Sequence, residues 1–166
     1  MTARHLDHVG DVFVNFANGT YQWIHLKRFR LPAEEHDERA ILGLLIAHEM
    51  YGDDYAGGGP GTDPARHGPY WRDRITAASF GPSEATTSES HLRTWAEQNA
   101  ELQEETQAEL ERELYAPLRA ATAVYRLRDL GKAAFHDWGG VHNEFHELVL
   151  IDRATNLLTL VVAADD

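Results

Sequence analysis

The stretch that decides the fold is "EFHELVLIDRATNLLTLVVAA", residues 144–164. Two apolar runs, 145–151 and 157–164, flank the polar segment "RATN", which predicts a turn between two strands. Near this turn both runs carry apolar residues at odd and at even positions, so both faces of the hairpin need a cover. We therefore predict that this hairpin lies at the centre of a sheet.

A second hairpin is predicted close to the other end of the chain. "VGDVFVNF" places Val12, Val14 and Phe16 on one face, and the apolar segment "YQWIHLKRFRL" follows it. The segment "ANGT" between them contains Asn-Gly, which strongly favours a tight hairpin turn. Two hairpins that join in one antiparallel sheet, packed against a central helical region on one side, give an α+β fold.

The helical region lies between the hairpins. Pro32, the acidic residues after it and the apolar segment "RAILGLLIAHEMY" predict a buried helix that ends at Gly52. Residues 89–115 predict one long polar helix, which Pro117 kinks or ends. A further helix is predicted from there to Gly131.

The segments between these elements complete one predicted α+β domain over residues 1–166. Residues 52–69 are rich in Gly and Pro and predict a mobile loop, because long irregular loops are functional or disordered. Residues 81–90 contain Gly, Pro and Ser and predict a linker.

The composition excludes several classes of function. The chain has no cysteine, which excludes disulfides, thiolate zinc sites and cysteine nucleophiles. Its formal net charge of −12 argues against binding to nucleic acid or to an anionic membrane. We expect a cytoplasmic protein, because neither a signal peptide nor an apolar run of membrane-spanning length is visible.

The first candidate site lies in "VHNEFHEL", residues 141–148. On a strand, His142, Glu144 and His146 face the same way as Leu148 and Leu150. Two imidazoles and a carboxylate suit an open site for a divalent metal such as Zn, Mn or Fe. The alternative is a polar strand entry that stays in solvent.

The second candidate site combines the end of the buried helix with the loop after it. His48 and Glu49 end the helix. The loop contains Asp53, Asp54, Asp63 and His67, so a mobile segment would carry polar groups over a rigid element. If this group met the first one in space, the two together would supply enough ligands for a metal. The alternative is a helix end that turns into solvent.

The third candidate is an acidic ribbon in which a glutamate recurs every four residues. Its members are Glu97, Glu101, Glu105, Glu109 and Glu113. Like charges at this spacing destabilise a helix slightly, and together they could recognise a basic protein and speed the encounter. The alternative is a solvated helix that keeps the protein soluble.

Two functions follow from these candidates. The first is a small acidic binding or regulatory module that acts through protein contact, as an inhibitor or immunity-type protein does. The second is a metal-binding protein or metal-dependent enzyme that uses the His142, Glu144 and His146 site. The first needs only charge and a surface, so the sequence favours it and leaves enzyme activity open.

Overall fold

A computed structural model describes residues 5–32, 37–51, 66–67, 69–135 and 145–165. Eight strands are present in these ranges: β1 (Asp7–Asn15), β2 (Gln22–Arg30), β3 (Arg66–His67), β4 (Tyr70–Trp71), β5 (Phe80–Ser83), β6 (Ala123–Leu127), β7 (Phe145–Asp152) and β8 (Leu157–Asp165). Six of them form one antiparallel sheet in the order β1-β2-β8-β7-β6-β5, and β3 pairs with β4 alone.

The sheet joins the two predicted hairpins. β1 and β2 form one hairpin, β7 and β8 form the other, and β2 pairs with β8 along the full length from Gln22–Asp165 to Arg30–Leu157. The apolar hairpin is therefore central, as its two-sided apolar pattern predicted. The α+β class and the single antiparallel sheet are confirmed.

The described helices are α1 (Glu38–Ala47), α2 (Ala85–Glu97), α3 (Glu104–Leu110) and α4 (Ala116–Ala120), and a π-helical turn (Glu111–Tyr115) joins the last two. Short 3-10 turns occupy Arg72–Arg74, Ala77–Ser79 and Lys132–Ala134. α1 begins later than Pro32 suggested, because Asp37 is its N-cap and accepts a hydrogen bond from the Arg39 N–H at 3.0 Å.

The long polar helix predicted over residues 89–115 is divided. Residues 98–103 separate α2 from α3, and the helical run that follows continues through Pro117 to Ala120. Pro117 has no N–H to donate to the carbonyls one turn earlier. Arg28 Nη2 donates to one of them, that of Glu113, at 3.1 Å, so this side chain on β2 supports the irregular turn.

Two segments differ from their predicted structure. Residues 123–127 form strand β6 instead of a helix, because pairing with β5 and β7 overrides the helix propensity of Ala, Arg and Leu. Residues 81–90, where the sequence predicted a linker, contain the end of β5 and the start of α2. Of the predicted loop 52–69, residues 52–65 and 68 lie outside the described residues.

Helices cover both faces of the sheet, and not one face as expected. On the α1 face, Ile41, Leu42 and Leu45 pack against β2, β7 and β8. On the α2 face, apolar side chains of α2, α3 and α4 pack against the opposite sides of the same strands. Of the helices in the described ranges, none is long and apolar enough to cross a membrane.

Candidate functional site

Three polar side chains meet inside the α1 face of the sheet. Tyr51 follows α1, His67 belongs to β3, and Glu147 lies in the central strand β7. All three are buried, with at most 1% of each residue exposed. We call Tyr51, His67 and Glu147 the buried acid cluster.

Hydrogen bonds satisfy both oxygens of the Glu147 carboxylate. The Tyr51 hydroxyl donates to Oε2 at 2.7 Å, and Nε2 of His67 contacts Oε1. The His67 ring also stacks on the Tyr51 ring, with 4.0 Å between centroids and 11° between planes. A buried carboxylate is costly unless it is paired and hydrogen-bonded, so these contacts explain how β7 tolerates a glutamate.

A buried lysine lies on the same face. Lys27 of β2 is 1% exposed, and its Nζ donates to the Met50 carbonyl at 2.7 Å. Nearby, the Arg72 guanidinium lies 5.6 Å from the centre of the Tyr51 ring and donates to the Ile46 and His48 carbonyls. Burial lowers the pKa of Arg72. Cationic side chains thus bind the carbonyls at the end of α1 beside the buried acid cluster.

The contacts of the buried acid cluster hold separate segments of the chain in position. The His67 and Glu147 side chains are both 0% exposed. The contacts connect the chain after α1, the β3–β4 hairpin and the sheet centre. The geometry therefore supports a role in holding these segments together.

The predicted metal ligands are only partly described. His142 and Glu144 lie outside the described residues. His146 lies on the α2 face of β7, where its ring meets the Trp95 ring edge-on at 5.8 Å. His67 lies on the α1 face, so the sheet separates these two histidines.

The helix-end residues of the second candidate site have other contacts. His48 Nε2 donates to the Leu6 carbonyl, and its Nδ1 accepts from the Met50 N–H, each at 3.0 Å. Glu49 is exposed. Within the described part of the chain, no group of three or more His, Asp or Glu side chains is placed to hold a metal ion.

Sequence reasoning missed Glu147 and Lys27. The signal was available, because each is a charged residue that alternates with apolar ones. Glu147 lies between Phe145 and Val149 on one face of β7, and Lys27 precedes Phe29 on one face of β2. A charged residue on an apolar face is almost never fully buried unless it has a partner, so such a position predicts a buried polar contact.

The acidic ribbon does not lie on one helix. Glu97 ends α2, Glu101 lies in the connection, Glu105 and Glu109 belong to α3, and Glu113 belongs to the π-helical turn. The first three are exposed and the last two are half-buried. The break at residues 98–103 therefore divides the predicted ribbon into separate groups.

Several carboxylates of this helical layer are neutralised within the protein. Glu113 Oε2 accepts a hydrogen bond from Arg28 at 2.9 Å. Burial acts to raise the pKa of Glu113, but the hydrogen bonds from Arg28 and Arg112 outweigh burial, so the pKa is lowered. Glu89 pairs with Arg119 at 2.7 Å and with Arg93 at 2.8 Å, and the Arg119 hydrogen bond lowers its pKa most.

Three glutamates of the ribbon remain accessible. Within the described residues, Glu97, Glu101 and Glu105 form no ion pair within 4.0 Å, and all three are exposed. In contrast, arginines neutralise Glu89 and Glu113. Negative charge in this layer is therefore concentrated at the end of α2 and the start of α3.

The β1–β2 turn lies against the same region. Asn18 Nδ2 donates to the Glu101 carbonyl at 3.4 Å, and Gln22 Nε2 donates to the Trp95 carbonyl at 2.6 Å. Tyr21 is 76% exposed and has a positive φ of 61°, which is uncommon for a residue other than glycine. We call Tyr21, Glu97, Glu101 and Glu105 the turn surface.

Comparison of the chain with family models, with curated proteins and with solved structures found no match. The geometry of the chain itself is therefore the basis for a functional proposal.

Proposed function

We propose that the chain is a small acidic binding or regulatory module that binds a basic protein through the turn surface. The observation that carries the proposal is three exposed glutamates, without an ion pair among the described residues, in a segment that the β1–β2 turn contacts. Tyr21 of that turn is also exposed. Glu89, Glu111 and Glu113 of the same layer have arginine partners instead.

The two kinds of side chain serve different parts of recognition. Exposed carboxylates attract a basic surface over a distance and mainly raise the association rate. Tyrosine is enriched among the residues that contribute most binding energy, because it buries a large apolar ring and keeps a hydroxyl for hydrogen bonding. Tyr21 therefore supplies the contact area, and the glutamates supply the steering.

The net charge of −12 also favours a basic partner. A strongly acidic protein repels anionic surfaces and favours cationic ones. An inhibitor or immunity-type protein, which blocks a basic partner by covering it, fits this description. A cytoplasmic location belongs to the same proposal.

The test is affinity capture with the immobilised chain, followed by binding measurements on each captured basic protein. The double variant Glu101→Lys with Glu105→Lys should lose binding, and Tyr21→Ala should weaken it. The matched control is Glu49→Lys with Asp73→Lys, which makes the same change in net charge at exposed positions away from the turn surface. Circular dichroism should show that all variants remain folded.

Binding of a true partner should weaken as salt rises, because exposed charges are screened over about 8 Å at physiological ionic strength. The control variant should bind like the wild type apart from a small general loss. A partner that binds the Glu101 and Glu105 double variant as tightly as the control would remove the turn surface from the proposal.

A further inference from the structure

A groove beside the short edge strand β5 carries positive charge in a protein that is acidic as a whole. The groove has a volume of about 570 Å³ and is lined by residues 81–83 of β5 and by residues 126–129, at the end of β6 and just after it. Two of these residues, Arg126 and Arg128, are exposed arginines. We call the groove formed by residues 81–83 and 126–129 the arginine groove.

Both arginines lie beside Gly81. Arg126 is the partner of Gly81 in the ladder between β5 and β6, and directly opposed residues of a sheet share one face. The Arg128 guanidinium lies over Gly81, because its Nε and Nη2 are 3.3 and 3.4 Å from the position that a Cβ atom on Gly81 would occupy. The lack of a side chain at Gly81 therefore makes room for Arg128 next to Arg126.

The donors of these two guanidinium groups are largely unused. Arg126 Nη1 donates to Nδ1 of His91 at 3.3 Å, and this nitrogen is the acceptor because an arginine side chain has donors only. Across the described part of the chain, no carboxylate lies within 4.0 Å of either guanidinium. Asp129 lines the same groove, but its Oδ1 accepts from the Gly131 N–H at 2.9 Å.

This arrangement differs from the other arginine contacts of the molecule. Arg28, Arg93 and Arg119 each pair with a glutamate of the helical layer. The chain has 27 acidic residues against 15 Lys and Arg residues, so acidic partners are abundant. Two neighbouring arginines without a carboxylate partner therefore indicate that an anion from outside the chain uses their donors.

We propose that the arginine groove binds the phosphate group of a small phosphorylated molecule. One guanidinium satisfies both oxygens of a carboxylate through two parallel hydrogen bonds, whereas a phosphate monoester has three free oxygens and can accept from two arginines at once. The volume of the groove also lies within the range of about 300–1,000 Å³ that is typical of pockets for small molecules.

Titration of the isotope-labelled chain with inorganic phosphate, followed by NMR at constant ionic strength, tests the proposal. The side-chain Nε–H signals of Arg126 and Arg128 should shift together and reach saturation. Acetate, which offers only a carboxylate, should bind more weakly. The absence of a saturable shift with phosphate, or equal binding of phosphate and acetate, would overturn the proposal.

Substitutions locate the site. Arg126→Gln and Arg128→Gln should each weaken phosphate binding by about tenfold, the effect of losing a charge-assisted hydrogen bond. The matched control Arg74→Gln removes the same charge from an exposed position outside the groove and should bind like the wild type. Equal affinities of the control and either arginine variant would show that the arginine groove does not hold the phosphate.

Gly81→Val separates position from charge. The variant keeps both arginines but places a side chain against the Arg128 guanidinium, so it should also weaken phosphate binding. Circular dichroism should show that each variant is folded. A folded Gly81→Val variant that binds phosphate as tightly as the wild type would contradict the geometry of the site.

Phenyl phosphate tests the class of ligand. It should bind at least as tightly as inorganic phosphate, because the groove has room for carbon atoms beyond the phosphate group. Weaker binding of phenyl phosphate would exclude a phosphorylated organic molecule as the ligand.

This inference is independent of the proposed function, and variants separate the two. Arg126→Gln and Arg128→Gln leave the turn surface unchanged, so they should not weaken binding to a basic partner. The double variant Glu101→Lys with Glu105→Lys should in turn keep the saturable phosphate shift of Arg126 and Arg128.

Discussion

At the scale of single residues, Glu147 is a buried charged side chain on the apolar α1 face of the sheet. A carboxylate at the centre of an apolar strand would be expelled without partners, and Tyr51 and His67 supply them from segments far away in the chain. The pairing therefore gives these segments a defined position on the sheet.

Tyr51→Phe tests this interpretation at the scale of a single atom. The variant keeps the ring that stacks on His67 and removes only the hydroxyl, so it should lower the free energy of unfolding by about 1.5–3 kcal/mol. Urea denaturation measures the change, and Tyr21→Phe at an exposed position provides the control, which should be neutral. Equal stability of Tyr51→Phe and wild type would show that the hydrogen bond is not needed.

The metal site of His142, Glu144 and His146 stays a prediction. If these residues bind a divalent ion, His142→Ala should abolish the binding of Zn, Mn or Fe(II) in calorimetric titration. Affinity should also fall as the pH drops through about 6.5, because metal-bound imidazole must be neutral. His91→Ala, an exposed histidine on α2, is the control. The absence of heat with all three metals would contradict the site.

At the scale of elements, the helical layer depends on a side chain from the sheet. Arg28 of β2 donates both to the Glu113 carboxylate and to the Glu113 carbonyl, in the turn that Pro117 cannot complete. One guanidinium thus replaces a missing helical hydrogen bond and neutralises a half-buried carboxylate. An irregular helix is tolerated here because the sheet beneath it supplies the donor.

A double-mutant cycle measures this dependence. Arg28→Met should destabilise the wild type more than it destabilises Pro117→Ala, in which a backbone N–H returns to the turn. The difference should be about 0.5–3 kcal/mol by urea denaturation. Arg30→Met, which removes the same charge from an exposed position of β2, should show no coupling to Pro117. Additive effects of Arg28→Met and Pro117→Ala would contradict this account.

The pH of the measurement affects the interaction between Arg28 and Glu113. The pKa of Glu113 is lowered in the folded protein, so the contribution of its ionised form is complete above about 4.3, its ordinary value. That contribution is lost as the pH falls through the lower pKa of the folded state. The cycle should therefore be measured near neutral pH.

At the scale of the whole molecule, the proposed contact with a basic partner depends on charge. The β1–β2 turn contributes the exposed Tyr21 to the turn surface, and Glu97, Glu101 and Glu105 contribute exposed carboxylates. The net charge of −12 adds to the attraction, so binding of a basic partner should weaken as salt rises.

The local patterns of the sequence determined the hairpins and the centre of the sheet. Alternation and the Asn-Gly turn predicted β1 and β2, and the two-sided apolar run predicted the central place of β7 and β8. Alternation also placed His146 with Leu148 and Leu150, and these residues do share the α2 face. These features depend on neighbours within a few residues, so a sequence displays them.

Only the tertiary structure decided which distant segments meet. Residues 123–127 became a strand because β5 and β7 offered hydrogen-bond partners, although their composition favours a helix. His67 met Glu147 and not His146, because successive residues of a strand point to opposite faces and α1 with its following chain covers only one of them. Contacts between residues far apart in sequence depend on how elements pack, and local periodicity does not predict that packing.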